Sequence, residues 1–385
     1  MTIAIVGSYP VSPNCICGGV ESSVYGLATA LCPHHIVDVF DVPRLRGTDS
    51  GEHFENLTIH RYKNQGSYNQ DALQRADEVL RDIVAIHPDI VHVHGTGEYS
   101  AYIYRSIKEY GIKTMLTVHG LLHVEKKNLL KKKPSLKHLY QYLHQSRVEF
   151  DILNYADQII VDTEYVSKQI FEYHKSGKIK NLPSISVIPQ GINETYLQIK
   201  SENNANIILS VGSISQRKGH LYLLKAFDKV YSQNPSAQLI IAGTLADKKY
   251  YAQLKDYIAS SPAKNNIQLF TNLSQEHLIS LYQKASIFAL HSQEESQGIA
   301  LVEAMATYLP VVSTLVGGIP YVVNHGTTGL LSKYGDITNF AQSIISLLSN
   351  NDFRQQLSEA AHEEAKRYTW QGIAKTIETI YSSRM

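Results

Sequence analysis

Residues 291–310 read HSQEESQGIALVEAMATYLP, and the chain on both sides is apolar: SIFAL over 286–290 before them, PVVST over 310–314 after them. Short apolar runs bounded by turn residues have the length of buried strands. The segment is therefore a strand, a polar loop, a short helix and a return strand. From 298 to 306 the helix is apolar on every face except at Glu303, and a helix apolar all round is a buried one. A carboxylate in such a place needs donors. Glu295 lies eight residues earlier, ahead of the helix N-terminus, where unpaired backbone N–H groups and the positive end of the dipole attract anions. Glu303 then stands about 7 to 8 Å further along the helix, at about 1.5 Å per residue. A phosphorylated sugar attached to a ribose has that shape: sugar outside, phosphates at the N-terminus, ribose hydroxyls along the helix. The plainer alternative is a buried Glu303 paired with Lys or Arg, and solvated loop charges at Glu294 and Glu295.

Glu295-Ser-Gln-Gly298, Glu303-Ala-Met-Ala306 and Pro310-Val-Val312 resemble the E-x-F-G-x4-E-A-M-A-x-G-x-P-V-V signature of the retaining glycosyltransferases of family 4. Gln297 stands where the family usually has Phe, and Tyr308 where it usually has Gly. A Tyr there gives up the easy left-handed cap, so the helix is expected to end differently. The resemblance implies an α/β protein of the GT-B fold, two Rossmann-like parallel-sheet domains facing each other across a cleft.

At 385 residues the chain has room for two domains of about 150 to 200 residues each. Lys+Arg 36 against Asp+Glu 35 leaves no overall field that favours nucleic acid. Cys15, Cys17 and Cys32 make an odd count, which argues for a reducing compartment. A zinc site from these cysteines and His34 is set against free thiols, and the intervening glycines and helix favour the thiols. Met1–Val6 is too short an apolar run for a signal peptide, and no eighteen successive residues are apolar. The expected location is the cytoplasm, with the inner face of the membrane as a peripheral station.

Strand-like runs alternate with amphipathic stretches along the whole chain, the pattern of parallel α/β domains. Strands are expected at 3–7, 36–42, 57–62, 90–94, 114–118, 158–162 and 185–188, with a helix at 19–31. A second series has strands at 207–211, 239–242, 267–270, 287–290, 311–313 and 329–331, then helices at 336–348, 352–366 and 370–381. The most polar connection between them is 193–206. This sets the boundary after 193, and the resemblance makes 1–193 the acceptor-side domain and 194–367 the nucleotide-sugar domain, with a C-terminal helix, 368–385, sent back onto the first. Open parallel sheets bind ligands beyond the carboxyl ends of their strands.

Gly18 and Gly19 open the first helix, where adjacent glycines let a ligand approach the backbone and the helix start suits phosphate. A flexible loop is the alternative. GGVE with Gly26 and Ala28 resembles the family's glycine loop, which implies that Gly19 faces the diphosphate or the acceptor and Gly18 the acceptor side. His119 ends a strand and precedes Gly120, a place from which it would meet a sugar hydroxyl or charge developing on the sugar; the alternative is a core histidine. Thr117-Val-His-Gly120 matches the family motif whose His contacts the donor sugar, and so implies a catalytic role for His119. His92 and His94 share a strand face and raise the question of a metal with His119. No carboxylate motif accompanies them, so no metal and no other cofactor is expected.

Residues 126–137 read KKNLLKKKPSLK, with Lys126, Lys127, Lys131, Lys132, Lys133 and Lys137 and no acid. A solvated surface is one reading. Attraction to an anionic membrane, where each Lys adds on the order of 1 kcal/mol, or to a phosphate-bearing lipid acceptor is the other, with Leu129, Leu130 and Leu136 interleaved as a peripheral segment requires. Several members of the family dock their first domain on membranes in this way.

In the second domain, Arg217 and Lys218 sit at a strand-to-helix turn, and two adjacent cations suit a leaving nucleoside diphosphate where no metal serves it. An exposed basic loop is the alternative. The string 210–219 resembles the family's V-G-R/S-x4-K-G motif, which implies diphosphate binding by Arg217 and Lys218. Thr271-Asn-Leu273 resembles the loop on which the family packs the base, so Leu273 joins the donor site. Gly317-Gly-Ile-Pro320 also matches, with Tyr321 in place of Glu. The resemblance further implies that Gly298, Ile299 and Ala300 supply N–H groups, that Glu303 accepts from the ribose, and that Glu295 orients the donor sugar as a catalytic residue, not as a nucleophile.

The expected function is transfer of a hexose or N-acetylhexosamine from a nucleotide-sugar donor, UDP-linked ahead of GDP-mannose, to a saccharide or lipid-linked acceptor in polysaccharide or glycoconjugate assembly. A dehydrogenase using Asp41 as its ribose acid would need G-x-G-x-x-G where the chain has Gly7-Ser-Tyr-Pro10. A non-catalytic sugar-nucleotide-binding module would not need Arg217, Lys218, Glu295 and Glu303 together.

Overall fold

The computed structural model describes residues 1–12, 16, 18–42, 50–62, 68–202 and 206–382, with side chains left out at 50, 51 and 68–74. Cys15 and Cys17 of the zinc reading, and 203–205 of the polar connection, lie outside the described residues. The chain forms two compact units: Met1–Val11, Gly19–Pro189 and Gln371–Met385 make the first, Ser12–Gly18 and Gln190–Trp370 the second.

The first unit runs β1 (Thr2–Gly7), α1 (Gly19–Leu31), β2 (Ile36–Asp41), β3 (Ser50–Phe54), β4 (Leu57–Arg61), α2 (Tyr68–Ala85), β5 (Ile90–His94), α3 (Glu98–Glu109), β6 (Thr114–Val118), α4 (Leu122–Lys132), α5 (Leu136–Tyr155), β7 (Gln158–Val161), α6 (Glu164–Lys175) and β8 (Ser184–Val187). Its sheet has the order β3-β4-β2-β1-β5-β6-β7-β8. The central strands β1 and β5 are covered on both faces, which is why they read as near-continuous apolar runs and why His92 and His94 of β5 are core residues. The strand β3 was not expected. Its sequence SGEHF has no apolar run; it forms because it pairs antiparallel with β4 across a turn in which Glu55 takes φ 42°. Asp41, the ribose acid of the dehydrogenase alternative, is tied to protein donors: it accepts from the Tyr9 amide at 2.9 Å and from Arg61 at 2.9 Å, and Arg61 also donates to the Pro10 carbonyl.

The second unit runs β9 (Ile207–Val211), α7 (His220–Gln233), β10 (Gln238–Gly243), α8 (Lys248–Ser260), β11 (Ile267–Thr271), α9 (Gln275–Lys284), β12 (Ile287–Leu290), α10 (Ile299–Ala306), β13 (Val311–Thr314), β14 (Gly329–Ser332), α11 (Ile337–Ser349) and α12 (Asn351–Ala365). Its strands are all parallel, in the order β11-β10-β9-β12-β13-β14. The chain steps one way from β9 to β10 and the other way from β12 to β13. That makes the gap between β9 and β12 the topological switch point, where open sheets bind ligands. A last helix, α13 (Trp370–Ser382), returns the chain to the first unit, where buried Tyr381 bonds to His92 at 2.6 Å.

The end of α10 differs from expectation. Tyr308 takes the left-handed conformation itself, at φ 61°, and closes the helix with bonds from its own amide to Met305 O and from the Leu309 amide to Ala304 O. A bulky residue in that region costs about 1 to 2 kcal/mol. The cost is offset from α12: the Tyr308 ring stacks on His362 at 3.7 Å, and the Ser358 hydroxyl donates to the Tyr308 carbonyl at 2.6 Å. Tyr308→Ala keeps the strain and loses the stack, so urea unfolding should show a loss of about 2 kcal/mol. Tyr308→Gly exchanges stack for relief and should stay within about 1 kcal/mol of the parent. Equal midpoints for Tyr308→Ala and the parent would remove the stack from the account.

Candidate active site

Both sides of the switch point carry charge. The turn after β9 presents Arg217 and Lys218, and the loop after β12 presents Glu295. Lys218 Nζ donates to Glu295 Oε1 at 2.6 Å, Arg217 Nη1 lies 3.4 Å from Oε2, and the Ser292 hydroxyl donates to Oε1 at 2.6 Å. Arg217 also donates to the Glu294 carbonyl at 3.0 Å. Glu295 is buried, and burial alone would raise its carboxyl; Lys218, Arg217 and Ser292 outweigh that and hold it below the usual range.

The backbone is shaped to allow this. A Cβ on Gly219, at φ 65°, would sit 1.9 Å from the His291 carbonyl oxygen, so the basic turn meets the end of β12 only as glycine. A Cβ on Gly317, at φ 53°, would sit 2.1 Å from the Glu295 carbonyl oxygen, which accepts from the Gly318 amide at 2.8 Å. The Thr314 hydroxyl donates to the Ser292 carbonyl, and the Gln293 amide to the Arg217 carbonyl. Ser292 and Thr314 carry no signal in the sequence; of this group only the Gly317-Gly318 pair does.

The helix α10 starts at Gly298, φ 87°, with no side chain capping it, so the first N–H groups, at Ile299 and Ala300, have no side-chain acceptor from the cap. Glu303, one turn further, accepts from the buried Tyr282 hydroxyl at 2.9 Å. Burial pushes its carboxyl up to about 7, against the pull of the Tyr282 bond and the Lys218 charge. Leu273 stands at the carboxyl end of the edge strand β11, after Asn272 in the left-handed conformation, two strands away from β9. The structure thus brings Arg217, Lys218, Glu295, Gly298, Ile299, Ala300 and Glu303 into one continuous region, with Leu273 on the same end of the sheet.

In the first unit, His119 follows β6. Its Nε2 lies 2.9 Å from His94 Nδ1 and its Nδ1 3.7 Å from Asp162 Oδ1. His92 bonds to Thr117 Oγ1 and to the Tyr381 hydroxyl, each at 2.6 Å. Burial pushes His92 down to about 3 and His94 well below its ordinary value, so both rings are neutral near pH 7. Among the described residues, no three His, Cys, Asp or Glu side chains are grouped to hold a metal ion. Gly19 is the first residue of α1, and a Cβ on Gly18 would meet nothing within 4 Å, so packing does not require glycine at 18.

The lysines lie on a helical hairpin, α4 and α5: Lys126 is half-buried, while Lys127, Lys131, Lys132, Lys133 and Lys137 are exposed. The hairpin is pinned by fully buried Glu149 of α5, which accepts from the Leu122 amide at 3.0 Å, the His123 amide at 3.1 Å and the Thr96 hydroxyl at 2.6 Å, and so caps α4. No helix among the described residues is long and apolar enough to cross a membrane.

Residues 17–196 match the family described as Glycosyltransferase Family 4, and residues 193–364 the one described as Glycosyl transferases group 1. A D-inositol 3-phosphate glycosyltransferase of Corynebacterium diphtheriae is 27% identical over 252 residues, 60% of this chain and 57% of that relative, so the chain spans little more than half of that relative's length. Sucrose-phosphate synthase from Thermosynechococcus elongatus has a TM-score of 0.80 at 20% identity, covering 99% of this chain and 98% of that one. HepE of Anabaena, in complex with UDP and glucose, has a TM-score of 0.75 at 18% identity, with 100% of both chains covered. Likeness at these identities shows the fold, which is GT-B. With its two parallel-sheet units and the two matches that run from residue 17 to residue 364, the chain belongs to glycosyltransferase family 4, the group 1 glycosyl transferases.

Proposed function

We propose that the protein transfers a hexose or N-acetylhexosamine, with retention and without a metal, from a nucleoside diphosphate sugar to a saccharide or lipid-linked acceptor in polysaccharide or glycoconjugate assembly. The observation that carries this is the carboxylate of Glu295 held by Lys218 at 2.6 Å and Arg217 at 3.4 Å beside an uncapped helix start. Two cations and a set of N–H groups converge where the charge of a leaving diphosphate would stand. In this reading the bond from the anomeric carbon to the phosphate oxygen breaks, and the nucleoside diphosphate keeps the electron pair. The sugar passes through an oxocarbenium-like state. The acceptor hydroxyl enters on the same face and gives its proton to the departing phosphate. Glu295, released from its cations by the diphosphate, orients the sugar hydroxyls, and Glu303 accepts from the ribose. That HepE was solved with UDP and glucose, and with UDP-glucose, supports a uridine donor ahead of GDP-mannose.

On the acceptor side, support comes from α5. Leu136, Leu139, Tyr140 and Leu143 follow the spacing of one helix face and are 86%, 40%, 68% and 56% exposed. They lie beside Lys131, Lys132, Lys133 and Lys137. A saccharide acceptor alone gives no reason for an exposed apolar stripe, whereas an anionic bilayer that presents a lipid-linked acceptor does.

Four outcomes test the proposal. Glu303→Ala should weaken UDP binding by about tenfold or more in titration calorimetry. Glu295→Ala, which removes a competing carboxylate, should bind UDP at least as well as the parent and lose turnover on the order of a hundredfold. Unchanged UDP affinity in Glu303→Ala would count against the ribose role. Because the raised carboxyl of Glu303 must ionise to accept two hydroxyls, UDP affinity should climb from about pH 6 towards about pH 8, by at most about tenfold per unit, and Glu303→Gln should flatten the climb. Sedimentation with vesicles rich in phosphatidylglycerol should carry the protein down, zwitterionic vesicles should not, and Leu136→Glu with Leu143→Glu should leave it in solution with UDP binding intact; equal partition into both vesicle types would remove the membrane from the reading.

A further inference from the structure

Gln297, two residues past Glu295, does not face the cations. Its side-chain amide is buried and grips one residue's main chain from both sides: Oε1 accepts from the Gln190 amide at 2.7 Å, and Nε2 donates to the Gln190 carbonyl at 3.0 Å. Gln190 is the first residue of the second unit after Pro189, so it stands where the chain enters that unit. The next residue, Gly191, has the Trp370 ring where a Cβ would be, at 2.6 to 2.9 Å, and Trp370 is the last residue before the chain leaves the unit again. Ile192 then donates its amide to the Tyr368 carbonyl at 2.8 Å and bridges to Thr369. Entry and exit are therefore joined by the single bridge of Ile192 to Thr369 and by the contact of Gly191 with Trp370, and the Gln297 amide fastens this junction to the loop of Glu295.

That loop is fixed on its other sides by the Arg217 carbonyl, the Thr314 hydroxyl and the Gly318 amide, so Gln297 cannot shift alone. We propose that Gln297 is a positioning residue that couples occupancy of the Glu295 loop by a nucleoside diphosphate to the order of the chain crossing at 190–192. When the diphosphate takes Arg217 and Lys218 from Glu295, the loop settles onto its ligand, and the double grip on Gln190 carries that settling to the crossing. A primary amide is the group suited to this, since it offers an acceptor to a backbone N–H and a donor to the C=O of the same residue. An apolar replacement leaves both buried groups of Gln190 without those partners.

The inference rests on the proposed donor site, and the experiment separates the two. Amide hydrogen exchange is followed with and without UDP, and the reporter is the Ile192 amide, which bonds to Tyr368 and not to Gln297. In the parent, UDP should slow exchange at 215–220, at 292–300 and, by about fivefold or more, at Ile192. In Gln297→Leu the slowing at 215–220 should persist while that at Ile192 is lost. Gln297→Glu guards against a misfolded Leu variant: protonated, it reproduces the donor and acceptor of the amide; ionised, it turns an anion on the Gln190 carbonyl. Its UDP-dependent slowing at Ile192, relative to the parent at each pH, should be near normal at about pH 5 and absent at about pH 8. Slowing at Ile192 that survives in both variants overturns the coupling and leaves the donor site standing. No slowing at 215–220 in the parent, with UDP or GDP, would sink the donor site and the coupling with it.

Discussion

A buried carboxylate between two cations fixes the geometry of the second unit. Removing Glu295 from water costs several kcal/mol unless its oxygens are paired, and three donors meet them, two of them charged. Lys218 and Glu295 are 77 residues apart in the chain, so their contact holds the turn after β9 to the loop after β12. Everything nearby follows from that closure. Gly219 and Gly317 lie against the main chain of that loop with no room for a Cβ, and the uncapped start of α10 is aimed where it is because Gly298 leaves the loop in a left-handed conformation.

The first unit treats two histidines of its central strand in the opposite way, as polar groups kept neutral by burial. His92 and His94 occur in a strand buried on both faces, and burial keeps them neutral. A neutral imidazole has one donor and one acceptor, so each bond fixes the next. If the Tyr381 hydroxyl donates to His92 Nδ1, then Nε2–H must donate to Thr117, which gives the end of α13 a say in the tautomer beside the strand that carries His119. The two units thus prepare their candidate groups by different physics: ion pairing in one, tautomer and burial in the other.

The strands of both sheets were legible because each is a short apolar run, and burial on both faces of a parallel sheet demands that pattern. The hairpin strand β3 was not, since pairing with β4 and not its own composition makes it a strand. Arg217, Lys218 and Glu295 could each be found as parts of local strings, but their mutual contact is a tertiary fact with no local trace. Gln297 shows the limit more sharply: its partner is 107 residues away, and nothing in ESQG distinguishes a buried clamp from a solvated loop residue. Tyr308 failed for another reason. Propensity forbids a left-handed tyrosine, but it knows nothing of the His362 ring that compensates it. The apolar stripe of α5 was hidden because its residues face outward, so the periodicity that marks a core helix marks a surface here.

In the proposed reading, the internal ion pair also sets what a donor site here can select. Arg217 and Lys218 without an anion would repel each other in a partly buried place; Glu295 removes that repulsion before any ligand arrives. A ligand must then compete with a carboxylate already at 2.6 Å from Lys218, whose side chain is 12% exposed, while Arg217, 36% exposed, meets solvent first. A monoanion offers the cations no more than Glu295 does, and forfeits the Ser292 bond that Glu295 already has. A diphosphate brings enough oxygens to reach both cations and the N–H groups at the start of α10 at once, and it leaves Glu295 available for neutral hydroxyls. In the proposed reading, preference for a nucleoside diphosphate over smaller anions follows from this exchange of partners, and its strength is set by how tightly the chain already holds its own acid.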